Sequence, residues 1–168
     1  MKTVWKRYGL FGLLTAVLIA LDQWTKSLVY NQLRINGPVV LIDGVFELLY
    51  SENRGAAFGI LQGKQWFFLF VAAAVVIVVM FFLSRMPAGK RYYPLFLCSV
   101  LLVSGAIGNV IDRLMRGFVV DFLYFSLIDF PIFNVADCYV VVAAGVLIFL
   151  TGFVYKDEEF DFLSMKEK

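Results

Sequence analysis

Long runs of apolar residues, separated by short polar segments, are the main pattern in this chain. A helix that crosses a bilayer needs about 20 apolar residues. Four stretches approach that length, at about 9–29, 66–83, 94–111 and 138–155, and the second carries no charged residue. Because lipid offers no water to satisfy backbone polar groups, we predict that each stretch is a membrane-spanning α-helix.

Two polar segments, at about 30–65 and 112–137, lie between these spans on one side of the predicted bundle. In the first, the β-rich runs PVVLI and VFELLY flank Asp43 and Gly44, a combination typical of a β-hairpin. The second contains no long helical pattern. The sequence therefore predicts an all-α polytopic membrane protein, with four transmembrane helices and a small outer β-sheet or hairpin, in one domain over residues 1–168.

Composition supports this fold class and excludes several functions. Hydrophobic residues make up 61% of the chain and charged residues 17%, whereas a soluble domain is about half apolar and about a quarter charged. The net charge is only +2, without a basic patch interleaved with aromatic residues, so no nucleic-acid partner is expected. The chain contains no His, which excludes Ser-His and Cys-His pairs and His-ligated metals. We expect neither a metal nor another cofactor.

The distribution of Lys and Arg predicts the orientation in the membrane. Nine of them lie in the N-terminal segment, the turn near 85–91 and the C-terminal tail, and six lie on the other side. Cytoplasmic segments are enriched in Lys and Arg, so we predict a multi-pass membrane protein with both termini cytoplasmic. The first span is expected to be permanent, because its apolar part is longer than that of a typical signal peptide and DQWTK (residues 22–26) stands where the small residues of a cleavage site would be.

Four aspartates lie at or just beyond the outer ends of the spans: Asp22, Asp112, Asp121 and Asp137. Ionisable residues at membrane depth are costly, so four at one depth indicate a functional site. Asp121 and Asp137 stand among apolar residues and would share one proton if they met. One could then take a proton from water while the other donates to the oxyanion, as in an aspartyl protease. Structural alternatives stay open, namely Asp137 as a helix cap and Asp121 as a charge on an edge strand or at the membrane interface.

The third span ends in a polar cluster. Asn109, Arg113 and Arg116 share one helix face, and Asp112 lies beside it. An Asn can orient a carboxylate or hold substrate backbone, while an Arg can pair with a carboxylate or with lipid phosphate. These four residues are therefore candidate site residues. The alternative is an interfacial arginine paired with the aspartate at the helix end.

Two further polar positions have both a functional and a structural interpretation. Asp22 and Lys26 are four residues apart, and they either join the site or form an internal ion pair. Asn53, in the loop sequence SENRG, either binds substrate backbone or begins a turn. Gly105 and Gly108, three residues apart, predict close packing of the third helix.

The blocks DQWTK, NRGAAFG, GAIGNVIDR, GFVVDF and FNVAD occur in this order, and in this the chain resembles the lipoprotein signal peptidases (signal peptidase II). The resemblance implies an aspartyl endopeptidase that removes the signal peptide from diacylglyceryl-modified prolipoproteins. It implies cleavage before the lipidated cysteine at the outer face of the bacterial cytoplasmic membrane, and inhibition by globomycin-type peptides. Membrane lipid is a further expected partner. Nothing in the sequence requires a second subunit, so a monomer is expected.

The resemblance also implies the residues of the site. Asp121 and Asp137 are the expected catalytic pair. The expected supporting residues are Asp22, Lys26, Asn53, Gly55, Gly108, Asn109, Asp112, Arg113 and Asn134. Arg116 joins this set through its own position, as a candidate contact for lipid head groups. The family further implies a short surface helix beside the outer sheet, whereas residues 129–131 and the acidic tail have no expected role.

Three other hypotheses stay open. A Ser-Lys protease could use Ser51 or Ser27 with Lys26 or Lys64, although Ser27 adjoins Lys26 and so points elsewhere on a helix. A small transporter or channel subunit would use its polar residues to conduct ions. A membrane scaffold would need no site at all. The clustering of polar residues at one face favours the protease.

Overall fold

The computed structural model describes residues 2–55 and 62–163, with side chains from residue 5. Its helices are α1 (Lys2–Asn36), α2 (Gln65–Arg85), α3 (Tyr93–Arg116) and α4 (Val135–Phe149), and α4 continues as a π-helical turn, Leu150–Val154. All four are long and apolar enough to cross a membrane, which confirms the predicted fold class. Each predicted span lies inside one of these helical segments, except that the last residue of the fourth span, Tyr155, follows the π-helical turn.

α3 lies at the centre of the bundle and packs against each of the other three helices. Half of its apolar window is buried, against 11–17% for the windows of α1, α2 and α4. The outer helices instead expose large apolar side chains, among them Trp66, Phe70, Ile148 and Phe153. Such a surface is stable only where the surrounding solvent is lipid.

Two glycines allow α3 to approach its neighbours closely, as their spacing predicts. A Cβ atom at Gly105 would lie 2.5 Å from the carbonyl oxygen of Ala136 in α4. At Gly108 it would lie 2.6 Å from Oδ2 of Asp22 in α1. Both distances are too short for a nonbonded contact, so a larger residue would force the helices apart.

We expect Gly108→Ala to destabilise the protein by about 1–3 kcal/mol, the usual effect of adding a carbon to a close-packed site. The thermal unfolding midpoint of the purified protein measures the change. Gly145→Ala on α4 is the matched control, because nothing lies within 4 Å of its added Cβ. That variant should be as stable as the wild type or slightly more stable, since Ala favours helix. Equal stability of the two variants would contradict the close packing.

Three antiparallel strands form a sheet at one end of the bundle: β1 (Val39–Ile42), β2 (Phe46–Asn53) and β3 (Val119–Tyr124), in the order β1-β2-β3. β1 and β2 form the predicted hairpin, and its turn holds Gly44 at φ +65°, a conformation that side chains disfavour. The sequence pattern alone does not predict β3, which pairs with β2 so that Asp121 lies opposite Ser51. Asp121 therefore does lie on an edge strand, as one structural alternative had it, but its side chain is only 2% exposed.

A single turn of 3-10 helix, Ser126–Ile128, follows β3. Within the described part of the two outer segments, this turn is the short helical element. Its apolar side chains Leu127 and Ile128 are exposed, which is typical of a segment that lies at a lipid surface.

The acidic tail, for which no role was expected, packs onto the opposite end of the bundle. Glu159 accepts two hydrogen bonds from Arg91, at 2.8 and 3.0 Å. The ring of Phe162 lies 5.6 Å from that of Phe82 and 5.7 Å from that of Tyr92. The tail therefore connects the end of α4 to the turn between α2 and α3.

Candidate active site

Two chain turns bring Asp121 and Asp137 to one place. α3 ends at Gly117, whose left-handed conformation (φ +79°) and N–H bond to the carbonyl of Arg113 (3.1 Å) stop the helix and lead the chain into β3. α4 begins after Asn134, so that Asp137 lies in its first turn. Asp121 and Asp137 line the same cavity, which has a volume of about 520 Å³.

The carboxylate of Asp121 is held by two side-chain amides. Its Oδ1 accepts a hydrogen bond from Asn134 Nδ2 at 2.6 Å, and its Oδ2 accepts one from Asn53 Nδ2 at 2.9 Å. Asn53 is itself fixed, because its Oδ1 accepts the N–H of Gly55 at 3.0 Å. Both oxygens of Asp121 therefore have fixed partners, which sets the orientation of the carboxylate.

Asp137 forms a capping box with Asn134 at the start of α4. The N–H of Asp137 donates to Asn134 Oδ1 at 3.1 Å, and the N–H of Asn134 donates to Asp137 Oδ2 at 3.1 Å. The helix-cap interpretation of Asp137 is thus correct, yet it occupies only one oxygen, since Oδ1 accepts from Asn109 Nδ2 at 2.8 Å. Because Asn134 Nδ2 also reaches Asp121, Asn134 connects the two aspartates.

Asn109 forms hydrogen bonds with both the buried Lys26 and Asp137. The Oδ1 of Asn109 accepts from Lys26 Nζ at 2.8 Å and from Asn134 Nδ2 at 3.1 Å. With its oxygen taken by two donors, Asn109 must turn its NH₂ group toward Asp137. Lys26 therefore acts on the orientation of Asp137 through Asn109.

Lys26 lies between two aspartates behind the cavity. Its Nζ is 3.0 Å from Asp22 Oδ2 and 3.4 Å from Asp112 Oδ2, and all three side chains are fully buried. Asp22 Oδ1 also accepts the N–H of Ala136, and Asp112 Oδ2 accepts the N–H of Val120, both at 3.0 Å. These carboxylates thus connect α1 and α3 to the two elements that carry the cavity aspartates.

Arg113 carries the one positive charge among the described residues that line the cavity. Its Nη2 donates to the carbonyl of Gly55 at 3.1 Å, and its guanidinium carbon lies 4.3 Å from the ring centre of Phe68 on α2. A guanidinium fixed by a carbonyl and an aromatic face keeps its orientation. It is therefore a cation held in place beside two acids.

The electrostatics suit a carboxylate pair that holds one proton. Burial, and secondly the negative charge of Asp137, raise the pKa of Asp121 from its ordinary value of 3.8 to about 7. The hydrogen bonds from Asn53 and Asn134 lower it, but burial is the larger effect. Asp121 therefore holds its proton at a much higher pH than an ordinary aspartate does.

Comparison with known proteins identifies the family. The chain matches the model of the signal peptidase (SPase) II family over residues 14–153. It is 47% identical over 145 residues to the lipoprotein signal peptidase of Brevibacillus brevis, a match that covers 84% of this chain and 96% of the relative. This chain belongs to the signal peptidase II family.

Other comparisons agree with this membership. The lipoprotein signal peptidase of Streptococcus thermophilus is 42% identical over 141 residues, which cover 84% of this chain and 89% of that protein. A bacterial membrane enzyme solved by the in meso method at 2.3 Å resolution superposes with a TM-score of 0.74 at 30% identity, over 95% of this chain and 93% of that one. As a signal peptidase II family member, the protein is a peptidase and a multi-pass bacterial membrane protein.

The expected signal peptidase II site residues fall into two layers. The cavity layer comprises Asn53, Gly55, Asn109, Arg113, Asp121 and Asp137. The buried layer behind it comprises Asp22, Lys26, Gly108, Asp112 and Asn134, which support the first layer without lining the cavity. The rest of the NRGAAFG block, residues 56–59, lies outside the described residues.

Arg116 belongs to neither layer. Although it was expected to share a face with Asn109 and Arg113, its guanidinium pairs with Asp112 and lies 5.6 Å from the ring centre of Tyr30. It does not line the cavity. The structure therefore has the helix-end ion pair that the sequence offered as the alternative.

Several apolar residues of the cavity were not predicted. Residues 129–131 had no expected role, yet Phe130 and Pro131 line the cavity, followed by Ile132 and Phe133. α4 adds Cys138, Val141 and Val142. In a chain that is 61% hydrophobic, nothing in the sequence distinguishes these residues from others that face lipid or core.

Proposed function

We propose that this protein is an aspartic endopeptidase that removes the signal peptide from diacylglyceryl-modified prolipoproteins and cuts before the lipidated cysteine. One observation carries the proposal, namely that Asp121 and Asp137 line one cavity and that Asn134 bonds to both residues, to the carboxylate of Asp121 through its side chain and to the carboxylate of Asp137 through its backbone N–H. The family membership of this chain, together with relatives that are lipoprotein signal peptidases, supports the substrate class.

The geometry supports different roles for the two carboxylates. Asp121 is buried and has its pKa raised to about 7, so it carries the shared proton. Asp137 is ionised and takes a proton from a water molecule as the water oxygen bonds to the peptide carbonyl carbon. Asp121 donates its proton to the oxyanion that forms. As the C–N bond breaks, the amine takes the proton held by Asp137 and the carboxyl product forms, while Asp121 recovers its own.

The cavity wall suits a substrate that carries lipid. Phe130, Pro131 and Ile132 form one apolar side, and Val141 and Val142 on α4 form the other. Val141 and Val142 are also exposed on the outer surface of the helix, so the cavity continues onto a surface that faces lipid. A lipid-anchored peptide could therefore reach the carboxylates by lateral diffusion, with its acyl chains against α4.

The distribution of charge supports an outward-facing site. Lys6, Arg7, Arg85, Lys90 and Arg91 lie at the end of the bundle opposite the sheet and the aspartates. By the positive-inside rule this end is cytoplasmic, so both termini are inside and the cavity opens at the outer face of the cytoplasmic membrane. We further propose that the chain acts as one domain and as a monomer, and that Arg116 meets lipid head groups.

The proposal is tested by a gel-shift cleavage assay on purified diacylglyceryl-modified prolipoprotein. The wild-type protein should shorten it, and globomycin should block the reaction, while a chelator should have no effect. The same prolipoprotein without the diacylglyceryl group should stay uncut, because its acyl chains would be missing from the apolar wall. Equal cleavage of the two substrates would contradict the proposed specificity.

A Ser-Lys mechanism that uses Lys26 or Ser27 finds no support in the geometry. The Nζ atom of Lys26 is already within 3.0 Å of Asp22 and 2.8 Å of Asn109, so it is not free to activate a serine. Ser27 interacts with Asn31 on the outer surface of α1. A serine-reactive probe that labelled and inactivated the protein would overturn this conclusion.

The pH dependence of kcat/KM should follow the protonation of Asp121. This carboxyl is protonated below its pKa of about 7, so activity should fall as pH rises through that value. Asn53→Ala removes a hydrogen bond that lowers this pKa, and the alkaline limb should therefore move to higher pH. Asn31→Ala, which removes an exposed bond to Ser27, is the control and should leave the limb in place. Movement to lower pH in the Asn53 variant would contradict the assignment of Asp121 as the acid.

A further inference from the structure

A second cavity, of about 380 Å³, lies at the end of the bundle opposite the aspartates. On one side it is bounded by α1, and on the other by the turn 86–89 and the first turn of α3. The residues from α1 are Lys6, Arg7, Leu10 and Leu14. The cavity therefore combines two cationic side chains with an apolar wall.

Arg7 is held at this cavity by one hydrogen bond, but another of its N–H groups has no partner among the described residues. Its Nη1 donates to the carbonyl of Met86 at 2.6 Å, which holds the guanidinium against the turn. Its Nε is buried and has no hydrogen-bond partner among the described residues. Buried N–H groups are normally paired, so this donor indicates a missing acceptor. The described lining contains no carboxylate that could serve.

The charge around the cavity favours an anion. The nearby Arg91 is neutralised by Glu159, but Lys6 and Arg7 have no such partner among the described ion pairs. The charge of the two cations that line the cavity is therefore not balanced by a described carboxylate.

The walls favour an occupant with acyl chains. Leu10 of α1 and Leu97 of α3 line the cavity and are 49% and 52% exposed on the surface that faces lipid. A small soluble anion would leave these walls uncovered. A phospholipid would place its phosphate at the cations and cover the apolar walls with an acyl chain. Basic pockets between transmembrane helices commonly bind anionic lipid head groups.

We propose that this cavity binds one anionic phospholipid, with its phosphate at Lys6 and Arg7 and an acyl chain against Leu10 and Leu97. The site is separate from the aspartate cavity and does not depend on the proposed function. It would hold the N-terminal part of α1 against the turn between α2 and α3.

Native mass spectrometry of the purified full-length protein tests this proposal, with phosphatidylglycerol and phosphatidylcholine of identical acyl chains as probes. The wild type should retain one phosphatidylglycerol in preference to phosphatidylcholine. In the double variant K6Q/R7Q, the Kd for phosphatidylglycerol should rise by about 25-fold, since each basic side chain at an anionic surface contributes about fivefold. K90Q is the matched control, because Lys90 lies at the same end but outside the cavity lining. It should change the Kd by less than about twofold.

A second variant separates binding from folding. L97W keeps both cations and fills the cavity from an exposed position, so it should weaken phosphatidylglycerol binding while the unfolding midpoint stays near that of the wild type. Inorganic phosphate should not compete with the lipid. Equal retention of both lipids, a K90Q effect as large as that of K6Q/R7Q, competition by phosphate, or a lipid-independent dimer would each overturn the proposal.

Discussion

Asp121→Asn and Asp137→Asn should each lower kcat/KM for prolipoprotein cleavage by about 10³-fold or more, at the upper end of what one acid or base contributes. Asn can neither accept the proton of water, the role proposed for Asp137, nor donate a proton to the oxyanion, the role proposed for Asp121. The hydrogen bonds that hold each side chain can be kept in part, because the amide oxygen still accepts from Asn134 or Asn109. The unfolding midpoint should therefore change far less than the rate.

Asp129→Asn is the matched control for these two variants. Asp129 lies in the same outer segment and is bound to the hydroxyl of Tyr124 at 2.8 Å, outside the cavity. Its φ of 49° is in the left-handed region, which Asn tolerates well, so the variant should fold and cleave normally. Near-normal turnover of either cavity variant, or a loss of activity in all three, would refute the assignment of the catalytic pair.

Lys26→Met should destabilise the protein by about 3–5 kcal/mol, the usual effect of removing one partner from a buried ion pair. Asp112 would keep Arg116 as a partner. Asp22, however, would lose its only cation among the described ion pairs and would stay fully buried. The thermal unfolding midpoint in detergent measures this loss, and activity should fall with it because Asn109 loses a donor that fixes its amide.

The double variant Lys26→Met/Asp22→Asn distinguishes the lost charge pair from lost packing. Removing the negative charge of Asp22 should restore a large part of the stability, because neutral groups remain where an unpaired carboxylate stood. Lys64→Met is the surface control, since Lys64 is exposed, and it should change stability by no more than about 0.5 kcal/mol. If the double variant were no more stable than Lys26→Met, the ion-pair explanation would fail.

The two cavities lie at opposite ends of the molecule and differ in the side chains around them. At the sheet end, a buried layer of Asp22, Lys26 and Asp112 connects four elements and holds two carboxylates over a partly apolar cavity. At the opposite end, basic and aromatic side chains pack around the turn between α2 and α3. The helices between them are surrounded by lipid, so each end can bind its own polar groups without contact with the other.

The fold was largely predictable because its causes are local. An apolar run of sufficient length must form a helix in lipid, and the sequence around Asp43 and Gly44 favours a tight turn. The same holds for the capping box of Asn134 and Asp137, which are three residues apart. β3 was not predicted, because a strand of six residues is recognised only through its partner, β2.

The sequence by itself determined the helices, the hairpin and the set of polar residues at one depth, because each follows from the chemistry of neighbouring residues and the membrane. Only the tertiary structure decided which of those polar residues line the cavity and which form ion pairs elsewhere. It placed Asn109 and Arg113 at the cavity and turned Arg116 to Asp112. It also added the walls from Phe130 and Pro131. These outcomes depend on contacts between segments far apart in the chain, for which apolar and charged residues carry no local signal.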